Sequence, residues 1–251
     1  MADHSPTDAP VALVADAGTY VGPPLARLLA ARGFRLVLGD PHDDLSAELD
    51  AAGIDHAVVT DVRTPTDPTG PQRLVDAALG RFGRLDSAIT FSGRVVTGRF
   101  MQSTVDDLQR VVDGCMVAPF HFLQAVLAPM VSAGGGQVLV ITSASAARAT
   151  PGAPLYSAAR AGATHLVRNV ADEVARHGVQ VNAVGTNFMD FPEFRRATGA
   201  DDPEIRARIE AMVPLRRLGT VDEFAHFCAP FVDGTSRFTT GQFVAYAGGW
   251  A

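Results

Sequence analysis

The stretch VALVADAGTYVGPPLARLLAARG, residues 11–33, runs from an apolar, β-branched segment through a turn holding Asp16, Gly18, Tyr20 and Gly22 into a segment of helical period. A short apolar run bounded by a turn reads as a buried strand, and the leucine and alanine spacing behind the proline pair reads as an amphipathic helix. The same unit recurs along the chain. Apolar runs stand at VALVAD (11–16), RLVLGD (35–40), HAVVTDV (56–62), DSAITF (86–91), GQVLVITS (136–143), VQVNAVG (179–185) and QFVAYAG (242–248), with helical segments such as QRLVDAALGRFG between them. Strands alternating with helices require crossover connections, and these place helices on both faces of a mostly parallel sheet. The pattern predicts an α/β, Rossmann-like, doubly wound domain of seven strands spanning residues 1–251 as one unit. Two longer helical stretches, roughly 103–131 and 155–176, are candidates for subunit packing.

Composition narrows the function. A formal charge of −6 and a pI near 5.6 disfavour a nucleic-acid partner, because such binding relies on basic groups neutralising phosphates. The opening MADHSPTDAP is polar and acidic, without the basic and apolar regions of a signal peptide, and no run of about 18 apolar residues stands out. A soluble cytoplasmic protein without membrane partners is expected. Cys115 and Cys228 are isolated and the seven histidines lack ligand spacing, so no metal site is expected and two buried thiols are.

The chemistry-bearing pattern is Ser143-x12-Tyr156-x3-Arg160. Tyrosine and arginine four apart share one helix face, and Ser143 ends the fifth predicted strand; Ser145 is a rival whose spacing to Tyr156 is two residues short. A free phenol titrates near 10 and is a poor base at neutral pH. A permanently charged guanidinium nearby favours the phenolate, which would make Tyr156 a usable general base. Nothing in the trio transfers hydride.

The order of segments resembles the short-chain dehydrogenase/reductase family over nearly the whole chain. RLDSAITFSG stands where that family has LDVLVNNAG, while PLRRLGTVDEFA and TTGQFVAYAGGW match its closing segments. Against that pattern, several positions depart together. Asp16 and Tyr20 occupy the first two glycine positions of the dinucleotide turn, and Gly18 falls at a variable one. NNAG reads Thr90, Phe91, Ser92, Gly93; PG reads Thr186, Asn187; the active-site asparagine reads Cys115; and the catalytic lysine reads Arg160. The last alone proves little, because the chain contains no lysine: all 21 basic residues are arginine.

A Ser-Tyr-Arg trio on this fold, with an aromatic-x-Gly turn at Tyr20 and Gly22, resembles the halohydrin dehalogenases, as do YSAARAGA and GTNFMDFPEF; Ala15 departs from that family's usual threonine. The resemblance implies a cofactor-independent homotetramer that converts vicinal haloalcohols to epoxides and opens epoxides with small anions. It implies Ser143, Tyr156 and Arg160 as catalytic. It places an anion pocket between Tyr20 and the loop Thr186, Asn187, Phe188 and Met189, with the Asn187 side chain and the Phe188 and Met189 amides as donors. Phe91 and Phe191 are candidates for the substrate pocket, and Trp250 for reaching a neighbouring subunit's site. Asp40 and Asp61, at adenosine-contacting positions of dehydrogenases, read as turn or cap residues. The alternatives are a divergent NAD(P)-dependent dehydrogenase and a non-catalytic binding module.

Overall fold

The computed structural model describes residues 8–91, 93 and 95–251; residues 1–7, Ser92 and Arg94 lie outside the described residues. In chain order the first elements are β1 (Val11–Val14), α1 (Gly22–Ala31), β2 (Arg35–Gly39), α2 (Asp43–Ala51), β3 (His56–Val59), α3 (Thr69–Phe82) and β4 (Ser87–Phe91). There follow α4 (Val105–Val112), a π-helical stretch (Asp113–Val117), α5 (Ala118–Ala133), β5 (Gly136–Ser143), α6 (Pro154–Ala175) and β6 (Val179–Thr186). An excursion of β7 (Met189–Asp190), α7 (Pro192–Thr198), α8 (Pro203–Ala211) and β8 (Gly219–Thr220) precedes α9 (Val221–Cys228) and β9 (Phe243–Tyr246).

The large sheet has the order β3-β2-β1-β4-β5-β6-β9, with every pairing parallel. Its seven strands fall on the seven apolar runs, although β1 stops at Val14, two residues before the apolar run does. Side chains alternate across a strand, so Val11 and Leu13 join a core with α3, α5 and α6, and Ala12 and Val14 join one with α1, α2 and α9. Both faces are thereby buried, which is why these strands are continuously apolar. The chain builds outward in opposite directions from β1 and β4, so the crevice for a ligand opens at the carboxyl ends of those two strands and of β5 and β6.

Local signals end the helices where they must. Thr104 with Asp107 and Thr220 with Glu223 form reciprocal capping boxes that start α4 and α9. Gly134, at φ 77°, closes α5 in a left-handed conformation. From Val105 to Ala133 the segments form one helix of 29 residues, long and apolar enough by length and composition to cross a membrane. It holds no unbroken apolar run of about 18 residues, because Asp, Gln, Arg and His residues interrupt it. Its Val111, Cys115, Phe122, Val126 and Met130 are core residues of this fold.

Candidate active site

Strand β5 delivers Ser143 to the crevice at its last residue, and the short turn after it brings Ser145 alongside. The Ser143 hydroxyl is the hub of this corner. It donates to the Thr186 carbonyl at 3.3 Å and accepts from the Ser145 hydroxyl at 2.9 Å and the Ser145 amide at 3.2 Å. The two serines therefore cooperate, with Ser143 foremost. Tyr156 lies in the first turn of α6, half-buried, and Arg160 one turn further is 1% exposed, with its guanidinium carbon 5.1 Å from the Tyr156 ring centroid. Among the described residues, two of its nitrogens, Nε and Nη1, have no hydrogen-bond partner. A buried guanidinium with unspent donors is costly in a purely structural role, which keeps Arg160 beside the phenol as a candidate site residue. Gly93 is what allows it: at φ 146° its bare Cα lies against Arg160 Nη2, and a Cβ there would overlap the guanidinium.

The turn after β1 is packed shut by its own side chains. Tyr20 is 7% exposed and left-handed at φ 51°, and its ring centroid lies 4.9 Å from Phe91, 4.6 Å from Phe191 and 5.7 Å from Phe224. Its hydroxyl donates to Thr186 Oγ1 at 2.9 Å, and burial raises its pKa well above that of a free phenol, so the proton stays on. Asp16 accepts the Phe91 amide at 3.0 Å and stands 3.4 Å from Arg63 Nε. Burial pushes its carboxyl up to about 6, against the opposing pull of the Phe91 amide and the Arg63 charge. Gly18 and Gly22 serve the turn itself, since a Cβ on either would overlap the Asp40 or the Asp16 carbonyl.

The remaining sequence candidates sort by geometry. Phe91 and Phe191 come together on Tyr20. Asn187 turns back: its side-chain oxygen accepts the Phe188 amide at 3.0 Å, so the amide expected to face an anion is already engaged. Phe188, left-handed at φ 56°, packs edge-on to Trp250 at 5.5 Å. Met189 is 3% exposed and opens the β7–β8 ladder. Trp250 rests on its own chain, where Arg148 stacks 4.6 Å from its ring and donates to its carbonyl at 2.7 Å. Neither Arg148 nor Arg63 carried a sequence signal; each sits in a loop without a motif. Asp40 spends its carboxylate on the amides of Asp61 (2.6 Å) and Val62 (3.1 Å), a turn role, and Asp61 is left-handed at φ 57°. Cys115, buried in the π-helical stretch, packs in the apolar cluster that borders Tyr156, and Cys228 is buried as well. A cavity of about 320 Å³ beside the turn is lined by Asp16, Arg63, Thr90, Gly93 and His121, with neither Ser143 nor Tyr156 in its wall. The candidate side chains therefore lie outside that cavity.

A doubly wound parallel sheet with a serine, a tyrosine and a cation gathered at its strand ends is the architecture of the short-chain dehydrogenases and reductases. The chain belongs to that family: the family model described as enoyl-(acyl carrier protein) reductase matches residues 20–251. It is 32% identical over 248 residues to an uncharacterized oxidoreductase of Mycobacterium tuberculosis (strain H37Rv), covering 95% of this chain and 90% of that protein. It is 31% identical over 245 residues to the cis-4-hydroxycyclohexanecarboxylate dehydrogenase of Sinomonas cyclohexanicum, covering 96% of each. The crystal structure of acetoin dehydrogenase from Enterobacter cloacae superposes with a TM-score of 0.83 at 28% identity, over 96% of this chain and 95% of that one.

The family implies a nicotinamide dinucleotide, and the residues present do not fit one. Its pyrophosphate needs bare backbone at the turn before the first helix. Here the Tyr20 ring is wedged among three phenylalanines and the Asp16 carboxyl points inward. Asp40, whose carboxylate would meet the ribose, is occupied by two amides.

Proposed function

We propose that this chain is a cofactor-independent lyase of the halohydrin dehalogenase type, converting vicinal haloalcohols to epoxides and opening epoxides with halide, azide or cyanide. The observation that carries the reading is the filled turn: Tyr20 and Asp16 occupy the turn where a dinucleotide would need bare backbone, while Arg160 stays packed on the Tyr156 ring and Ser143 stays at the end of β5. In this mechanism Ser143 donates to the substrate oxygen and Tyr156 takes its proton, with Arg160 favouring the phenolate. The alkoxide oxygen then forms a bond to the neighbouring carbon from the back side, and halide leaves with the C–X electron pair. The departing anion is received between the Tyr20 edge and the loop Thr186–Met189, where donors fixed in advance lower the barrier most.

A second reading, an NAD(P)-dependent oxidoreductase, is favoured by the dehydrogenase and oxidoreductase names of the relatives. The same lyase reading carries a cytoplasmic homotetramer; the apolar groove of about 410 Å³ between α5 and α6, where Phe120 is 43% exposed, supports its subunit packing. The deciding experiment supplies simple vicinal bromo- and chloroalcohols without nucleotide and follows halide and proton release. Release supports the lyase. Its absence across substrates of several sizes, together with nucleotide-dependent alcohol oxidation, establishes the second reading instead.

A further inference from the structure

Tyr20 has a hydroxyl that its packing does not require. A phenylalanine would fill the same niche against Phe91, Phe191 and Phe224, and a left-handed backbone is already costly for a bulky side chain. The only hydrogen bond its hydroxyl makes among the described residues is with Thr186 Oγ1, at 2.9 Å. The phenol is the donor of that pair. A threonine hydroxyl has one proton and two lone pairs. With a lone pair taken by Tyr20, the Thr186 proton remains, and it finds no acceptor among the described residues. A hydroxyl that accepts one hydrogen bond is polarised into a better donor of the next.

Thr186 is half-buried at the end of β6, directly beside Ser143 at the end of β5. Its carbonyl holds the Ser143 proton at a long 3.3 Å, a weak bond that a substrate oxygen can replace. One residue thus faces both halves of the site, through its carbonyl toward the substrate oxygen and through its hydroxyl toward the neighbouring space. Of the two backbone donors expected here, the Phe188 amide is taken by the Asn187 side chain, which leaves the Met189 amide and the Thr186 hydroxyl.

We propose that the Thr186 hydroxyl is the side-chain donor to the leaving or incoming anion, and that the Tyr20 phenol is the positioning residue that aims it. The proposal rests on the lyase reading and assigns the anion's chief hydrogen bond, favouring compact anions with a strong acceptor atom, such as chloride and azide.

The test is calorimetric titration of the full chain with sodium azide, with melting curves to verify folding. The panel comprises wild type, Thr186→Val, Thr186→Ser, Tyr20→Phe and the Tyr20→Phe/Thr186→Val double variant. Loss of one hydrogen bond to an anion predicts roughly tenfold weaker azide binding for Thr186→Val, recovery in Thr186→Ser, and a smaller loss in Tyr20→Phe. Because both act through one proton, the double variant should bind no more weakly than Thr186→Val alone. Wild-type affinity in folded Thr186→Val, or losses that multiply in the double variant, overturns the assignment while leaving the lyase reading standing. A wild type that binds no azide and releases no halide overturns both.

Discussion

The turn after β1 and the strip from β5 into α6 lie side by side over one crevice, yet they have diverged from their family in opposite ways. The strip keeps its plan: serine at a strand end, tyrosine in the first turn of the helix, and a cation one turn further, with Arg160 buried against the tyrosine ring. The turn keeps only its backbone path. Where bare glycine is needed for a phosphate, it carries an aromatic ring and a carboxyl, each with its own partners. The two regions sit on different strands, and Thr186 bridges them, taking the Tyr20 hydroxyl at its Oγ1 and the Ser143 hydroxyl at its carbonyl.

The comparison breaks most sharply at the strip. Tyr156→Phe keeps the ring and removes the acceptor, so turnover of a bromoalcohol should fall by roughly a hundredfold or more with an unchanged melting temperature. Residual activity near wild type would assign the base elsewhere.

At the turn, Tyr20→Gly should cost roughly 3–5 kcal/mol of stability as a buried aromatic side chain is deleted, partly offset because glycine tolerates φ 51°. Haloalcohol turnover should drop. Calorimetry should detect no NADH or NADPH binding, since Asp16 still faces any pyrophosphate and Asp40 is still engaged. Nucleotide binding by the wild type, or gained by this variant, would mean that the turn was never rebuilt.

Arg160→Lys sharpens the comparison by asking whether the strip's cation is specific. An ammonium is a compact charge without the planar fork, so partial loss of turnover and a displaced pH profile are expected. An identical profile would make the arginine a product of the chain's avoidance of lysine.

The smallest effect concerns Asp16. Its carboxyl is raised to about 6 in the folded chain from an ordinary 3.8. A raised carboxyl favours the folded state below the ordinary value and loses that contribution as pH rises through about 6. Asp16→Asn should therefore melt close to wild type at pH 4 and gain a few degrees over it by pH 7.5. A difference that does not change with pH would show that Arg63 keeps the carboxylate ionised throughout.

Much of this was legible in the chain itself. Seven apolar runs became the seven strands because a parallel sheet buried on both faces admits little else. The x3 spacing placed Arg160 against the Tyr156 ring because one helical turn leaves little freedom, and Ser143 fell at the end of β5. The pair β7–β8 was not legible, since two residues a strand form no pattern. Nor was the π-helical stretch, whose residues keep a helical period.

By itself, then, the sequence determined the sheet, the helices on its faces and the pairing of Tyr156 with Arg160 on α6, all of which follow from local periodicity. Only tertiary structure decided what the turn became. Tyr20 and Thr186 are 166 residues apart in the chain, and no local rule says that a phenol will find that hydroxyl. Asn187 capping the Phe188 amide, Arg148 holding Trp250, and Asp40 spent on the next turn are likewise choices among competing donors and acceptors. Which partner wins depends on what packing brings within hydrogen-bonding distance.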